Sequence, residues 1–567
     1  MLLTRCAWLA FIAAAFALRP PAGAQKPDPV LIPGENRIPE WAQQGRFRFT
    51  RLDGGPIEIL KTSRSAWGMH FNAEQKEVLG NLYTKYSDQI ADLLEQAHIN
   101  WVWLTWSVGY SWQEEAEQRE QCRRMVGKLR QRGIRTAAYV CAVSMFWESM
   151  FRDEPRSVRW VTFDPQGVPF RYSGGRDPLR FIADVSNPEW VALQKRRVGE
   201  AIDAGFDALF FDNTASVGWS TDAAMDSFVG QMRRYIHEEK KSGLLLFTNY
   251  GLSPSRAALN RNMDWVFAEG WREPGAWGTE WNAGNIRRTK YLRGLIPAWK
   301  PLTTEYSIFH SGNRATTWLG PRSQKLATAE AAAFHSDYSW DMEGPFLEAL
   351  VKGTPAAMEA WKAIGEYSLF LLENQRLYAK ARPVSRVAVA APIGSLSFTW
   401  DREDVALYDL LAKNSILFDI RPAEEALRYP AVVIPPSSRK PAAPGGTQVF
   451  APAADAPAEE ILAHVRALAP DALSIAVEGA PHVAANVTRL DSGKGLAIHL
   501  LNYDPGPVSN LKVRLRLDRE YAQLAGKEPR VFTPDSARPA VGVRRAGTRI
   551  EITLDRLDIY TVLTLED

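Results

Sequence analysis

Gly205-Phe-Asp207-Ala-Leu-Phe-Phe-Asp212-Asn213 is the stretch on which the reading of this chain turns. Four consecutive apolar residues, Ala208 to Phe211, are bounded by turn formers, the pattern of a short buried strand. The strand ends on a carboxylate, Asp212. The same outline returns as Met263-Asp264-Trp-Val-Phe-Ala-Glu269-Gly270. Each copy leaves a helix, passes an acidic residue, enters an apolar strand and stops at an acid. In a parallel β/α barrel the residues at the C-terminal ends of the strands line the mouth. Asp212 and Glu269 lie 57 positions apart, the length of two β/α units, so both acids are expected on one rim from alternate strands.

Working outward, residues 65–380 alternate between strand-like and helix-like segments, and the spacing predicts a (β/α)8 TIM barrel. The first strand is placed at Ala66-Trp-Gly-Met-His70-Phe, the second at Trp101–Trp106 and the third from Arg135. Asp212 then closes strand 4, Asn249 strand 5, Glu269 strand 6 and Glu305 strand 7, with a weak strand 8 near Asp337–Asp341. Helices are predicted at 86–97, 114–132, 188–204, 221–239, 285–295, 324–334 and 356–373. Asn187 or Ser186 serves as N-cap where Pro188 opens a helix. Beyond Pro383 the pattern changes twice. Residues 384–470 read as a small α/β domain without a phosphate-binding glycine loop. From 478 to 567 the period is two, as in a C-terminal antiparallel β-sandwich.

The chain opens as an export signal over residues 1–24, followed by an N-terminal extension over 25–64. Arg5 precedes an apolar run from Cys6 to Leu18, and Ala22-Gly23-Ala24 offers a cleavage site. That run is too short for a permanent span, so a periplasmic or extracellular protein with no membrane span is expected. The formal charge of +3 falls to about +1 without Arg5 and Arg19, and no basic block points to nucleic acid. Cys122 and Cys141 remain, enough for one disulfide in an oxidising compartment but not for a framework or a zinc site. The 20 Trp are a high count; many are core residues by default, yet aromatic faces also stack on sugar rings.

Paired carboxylates at one barrel mouth are the equipment for cleaving glycosidic bonds. Asp212 is the expected nucleophile or base and Glu269 the general acid. The bland alternatives are a helix N-cap for Asp212 and a structural salt bridge for Glu269. Asp184, Asn249 and Glu305 are candidate substrate ligands, with Glu305 also competing for a catalytic role. Asp184 and Asn249 equally suit turns, since short polar side chains bond their own backbone. His70 is a candidate at the end of the first strand, and Tyr139, Trp106, Trp271 and Trp281 are candidate sugar platforms. His310, His335 and Asp337 lack metal-ligand spacing. No cofactor is expected, and no Gly-x-Ser-x-Gly elbow is present.

Phe206-Asp-Ala-Leu-Phe-Phe-Asp212-Asn213 resembles the Gly-Phe-Asp-Gly-(apolar)2-x-Asp-Asn segment of the polygalactosaminidase-like glycoside hydrolases, with Ala208 in place of the usual Gly. Its placement is similar to the strand-4 nucleophile of the α-galactosidase superfamily. Asp184-Val-Ser-Asn-Pro-Glu-Trp190 resembles the Asp-x-x-Asn-Pro-x-Trp stretch before strand 4 in such barrels. Leu496-Ala-Ile-His-Leu-Leu-Asn502-Tyr503 looks like a strand of their terminal sandwiches. The resemblance implies a secreted glycosidase acting on an oligo- or polysaccharide. A carbohydrate-binding barrel without chemistry, and a metal-dependent hydrolase, are the competing readings.

Overall fold

The computed structural model describes residues 38–39, 42, 49–52, 72–172, 179–214, 222–249, 262–277, 280–306, 318–342, 344–391, 402–438 and 447–566. Eight parallel strands close into a barrel: β1 (Phe49–Leu52), β2 (Trp101–Ser107), β3 (Arg135–Cys141), β4 (Ala208–Asp212), β5 (Leu245–Asn249), β6 (Trp265–Trp271), β7 (Leu302–Tyr306) and β8 (Asp337–Met342). Around them lie α1 (Ser87–Gln96), α2 (Ala116–Gln131), α3 (Pro188–Asp203), α4 (Asp222–Arg234), α5 (Gly284–Leu295), α6 (Pro321–Ala333) and α7 (Pro355–Glu373). Asn187 caps α3, its side chain accepting the Glu189 and Trp190 N–H groups, with Pro188 in the first turn.

The first strand is a correction. It is Phe49–Leu52, within the expected extension, and residues 66–71 lie outside the described residues. Phe49 pairs with Trp101 of β2 and Ser339 of β8, and those two seams close the cylinder. Four residues that include Thr50 and Arg51 make no apolar run, so periodicity had nothing to detect.

Strand alternation divides the side chains into two cores. Trp101, Trp103, Phe210, Phe247, Trp265 and Phe267 fill the lumen. Phe247 stacks on Trp265 at 4.2 Å, and Trp103 meets Phe210 at 4.2 Å. Their outward neighbours Val102, Leu104, Trp106, Leu209, Phe211, Leu246, Val266 and Ala268 face the helices. The lumen is therefore an aromatic plug below the mouth, and Trp101, Trp103 and Trp265 of the 20 tryptophans are buried in it.

The first acid of each sequence echo has a structural task. Asp207 donates its N–H to the Thr136 carbonyl, and the Thr136 N–H returns to Asp207 Oδ2 at 2.9 Å. Asp264 does the same two units further round, giving its N–H to the Leu246 carbonyl and accepting the Leu246 N–H at 2.8 Å. Each carboxylate also pairs with an arginine, Arg135 at 2.9 Å and Arg233 at 2.8 Å. These clasps set the entry of strands 4 and 6, and the second acid of each echo emerges at the opposite end.

After the barrel, β9 (Val387–Ala391), β10 (Phe418–Pro422), β11 (Ala431–Val433) and β12 (Gln448–Phe450) form a four-stranded parallel sheet with α8 (Arg402–Lys413) and α9 (Ala458–Leu468). Two antiparallel sheets follow. One carries β13 (Ser474–Glu478), β16 (Val508–Arg516), β17 (Val541–Ala546) and β18 (Arg549–Leu557); the other contains β14 (Val483–Arg489), β15 (Gly495–Asn502) and β19 (Tyr560–Glu566). They share an apolar core that includes Val513 and Ile552 from the first sheet and Ile498 and Leu563 from the second.

Tyr503, just after β15, reaches back to the barrel. Its hydroxyl donates to Glu330 of α6 at 2.5 Å, while Tyr306 and Asn285 donate to the other oxygen at 2.8 Å each. Burial is the largest influence on Glu330 and outweighs these hydrogen bonds, lifting its pKa to about 7 from an ordinary 4.5. The folded chain thus holds this proton more tightly than the unfolded one. The associated stability is complete below about pH 4.5 and is lost as pH rises through about 7, a loss of about 3 kcal/mol. Glu330→Gln is expected to flatten that dependence. Urea midpoints of wild type and variant should diverge between about pH 5 and pH 8, and parallel curves would remove Glu330 as the cause.

Candidate active site

Asp212 ends β4 pointing inward, in alternation with Phe210 below it. It is 9% exposed and accepts four hydrogen bonds. The Tyr139 hydroxyl donates to Oδ2 at 2.6 Å and the Asn213 side-chain amide to the same oxygen at 2.8 Å. The Asn213 N–H donates to Oδ1 at 2.7 Å, with the Asn249 amide at 3.4 Å. Asn213 manages two of these bonds because its backbone is left-handed, with φ +58°, a conformation Asn tolerates better than most residues.

A second tier supports Asn213. The Tyr172 hydroxyl donates to Asn213 Oδ1 at 2.8 Å. Arg180 stacks on the Tyr172 ring at 3.8 Å. The Arg180 guanidinium and the Asn213 amide both approach Cys141 Sγ, at 3.4 and 3.2 Å. Burial chiefly raises the Tyr172 pKa; Arg180 opposes this, while Asp212, Cys141 and Glu269 add to it. Tyr172 is therefore a neutral donor at ordinary pH. Its ionisation is opposed by the charges of both Asp212 and Glu269.

Glu269 owes its position to a break in β6. Ala268 and Trp271 both face the helix layer although three residues apart, and the pairing with β7 slips between Thr304 and Tyr306. Gly270 absorbs the extra residue at φ +93°, where a side chain would be strained. The bulge leaves half-buried Glu269 on the lumen side and sends Trp271 outward.

The loop after β2 forms part of this mouth. Glu115 accepts the Ser107 hydroxyl at 2.6 Å and the N–H groups of Val108, Gly109 and Tyr110 at 2.9 to 3.1 Å. Arg197 lies 3.5 Å from it. Gly109 abuts the loop after β3 so closely that a Cβ would sit 2.2 Å from the Ser144 carbonyl oxygen. The Phe146 N–H donates to the Gly109 carbonyl and locks the two loops together.

Other expected residues take other places. Asn249 lies at the rim beside Asp212. Glu305 is buried on β7 at 7% exposure, next in line after Glu269 around the barrel. Asp184 closes a local turn, accepting the Ser186 N–H at 2.9 Å and its hydroxyl at 2.6 Å. Tyr139 is not a platform: its ring is wedged against Trp103 and Phe210, and its hydroxyl serves Asp212. Trp106 and Trp271 are corrected too, since both are buried outside the strand wall, bonded to the Arg197 carbonyl and to Thr289. Trp281 packs on Tyr503 at 4.3 Å, at the junction with the C-terminal sheets. His70 and His310 lie outside the described residues. Among the described residues no three His, Cys, Asp or Glu side chains gather as a metal site. Cys122 and Cys141 are free, one behind β2 and the other in the lumen, so the wall of the barrel separates them.

Sequence reading did not single out Asn213 as a functional residue, although the Asp-Asn pair was visible. Tyr172 and Arg180 carried no signal, since they sit in the long connection after β3, where no period marks which side chains return to the mouth.

No family model matches the chain, and no curated protein matches its sequence. Solved structures do match its fold. The α-L-fucosidase isoenzyme 2 from Paenibacillus thiaminolyticus aligns over 92% of this chain and 99% of its own, at 12% identity and a TM-score of 0.63. A cycloisomaltooligosaccharide glucanotransferase from Paenibacillus sp. aligns over 93% and 85%, at 9% identity and a TM-score of 0.55. A debranching enzyme from Nostoc punctiforme aligns over 94% and 99%, at 9% identity and a TM-score of 0.50. The chain therefore shares its fold, across nearly its whole length, with known carbohydrate-active enzymes.

Proposed function

We propose that this protein is a glycoside hydrolase in which Asp212 is the nucleophile, or the base if the enzyme inverts, and Glu269 is the general acid. The observation carrying the reading is that Asp212 and Glu269 stand on alternate strands of one closed barrel, with Asn249 on the strand between them donating to Asp212. A rigid acceptor-only carboxylate suits attack or base catalysis, while a second, half-buried acid can deliver a proton to the leaving oxygen. The fold shared with the fucosidase, the glucanotransferase and the debranching enzyme supports a carbohydrate substrate. Asn249 and Glu305 complete the rim as sugar ligands. The leader-like residues 1–24 support an exported enzyme, and among the described residues no helix is long and apolar enough to cross a membrane.

A polysaccharide digestion screen tests the reading, with the anomeric form of the first product followed by NMR. Retention implies carboxyl groups about 5–5.5 Å apart, and inversion about 6.5–9.5 Å. Release of no sugar from any glycan by wild type would reject the hydrolase and leave a binding barrel.

Tyr139→Phe isolates one bond to the proposed nucleophile. A hydrogen bond to a charged group contributes about 1.5–3 kcal/mol, so kcat should fall about 10- to 100-fold with KM little changed. Unchanged kcat would mean that the Tyr139 hydroxyl orients nothing the reaction needs.

A further inference from the structure

A groove of ≈ 710 Å³ lies between α9 and the outer face of the β13–β16–β18–β17 sheet, and no barrel residue lines it. Seven of its lining residues are arginine and one, Glu551, is acidic. That concentration is local, because the whole chain carries only +3. Three of the arginines are already committed: Arg386 to Asp518, Arg514 to Glu551 and Arg545 to Glu528. Arg466, Arg544 and Arg549 are exposed and have no ion-pair partner among the described residues. Arg516 gives one nitrogen to the Ala472 carbonyl, while its buried Nε has no partner.

The sheet register makes this arrangement costly. Arg516 stands directly opposite Arg549, and like charges in that relation destabilise a strand pair. An anion lying across the face would turn that repulsion into binding. Guanidinium groups present planar forks that match a carboxylate with two hydrogen bonds. No aromatic side chain lines the groove, so it lacks the stacking platforms of single-stranded nucleic-acid sites and of neutral-sugar sites alike. Ala469, Ala472 and Ala546 keep it open along its length.

We infer that this groove is an accessory site for an acidic polysaccharide, a carboxylate-bearing uronate chain held by Arg466, Arg516, Arg544 and Arg549. The choice of a glycan over another polyanion rests on the glycoside hydrolase reading; the charge and the missing aromatics come from the groove itself. Affinity electrophoresis of the full chain through gels containing polygalacturonate, neutral dextran, heparin or double-stranded DNA tests it. Wild type and Asp212→Asn should both be retarded by polygalacturonate and run freely in dextran. An Arg544→Gln/Arg549→Gln double variant, whose changes are exposed and whose fold is checked by its thermal melt, should bind polygalacturonate at least about tenfold more weakly. Equal retardation of the double variant overturns the inference. So does equal or stronger retardation in heparin or DNA, which marks a general polyanion surface. Binding by a wild type that hydrolyses no glycan would leave the groove standing and reject only the catalytic reading.

Discussion

Asp212→Asn is expected to reduce kcat roughly 10³- to 10⁴-fold on any substrate the wild type cleaves, the scale of losing a positioned catalytic group. The two side chains have the same shape, so the loss would report charge and nucleophilicity rather than a hole. The surroundings also forecast a stability effect. Oδ1 faces two N–H donors, so the new amide group turns toward Oδ2, where the Asn213 amide also donates. The Tyr139 hydroxyl can rotate to accept, but the Asn213 contact becomes donor against donor. A destabilisation of about 1–3 kcal/mol follows, read as a lowered urea midpoint in a chain that still folds. Glu269→Gln should behave differently. On a natural glycan it costs about 10²- to 10⁴-fold, and on an activated aryl glycoside, whose leaving group needs no proton, far less. If both variants lose the same factor on both substrates, Glu269 is not the acid.

Glu115→Ala is expected to destabilise the fold by about 3–5 kcal/mol, because it strips a buried charge from its partners. Glu115 and Arg197 are both 0% exposed along their side chains, and Arg119 lies 4.0 Å away on the next turn. The variant leaves both guanidinium groups buried beside a void and abandons the N–H groups of Val108, Gly109 and Tyr110. That loop is tied to the loop after β3 through Gly109 and Phe146, and the latter connection leads on to Tyr172 and Arg180. Denaturant unfolding should show the loss directly. In any sample that remains folded, activity should fall as well, although the Glu115 side chain is fully buried beneath the loop it holds. A wild-type unfolding midpoint would remove Glu115 as the brace of these loops.

Much of the barrel is legible in the sequence, for identifiable reasons. β4, β5 and β6 are continuous apolar runs because their two faces meet the lumen and the helices, so neither needs polar residues. Helix α3 announced its own start with Asn187 and Pro188. β1 was not readable, because a four-residue strand with Arg51 in it depends on the seams with β2 and β8 rather than on its own pattern. The echo was read as one feature and is two: a clasp acid at each strand entry, Asp207 and Asp264, and a rim acid at each exit, Asp212 and Glu269.

The sequence alone determined the class of fold and the candidate acids, because strand and helix periods and the 57-residue spacing are local properties of the chain. The tertiary structure decided which aromatic rings are plug and which are wall. One bulge at Gly270 turns Trp271 away from the mouth while keeping Glu269 in it. It also decided which groups hold Asp212. Tyr139 lies 73 positions from it in the chain, and only the curvature of the barrel brings the two within 2.6 Å. Contacts of that kind depend on strand register and loop return, which local composition does not encode.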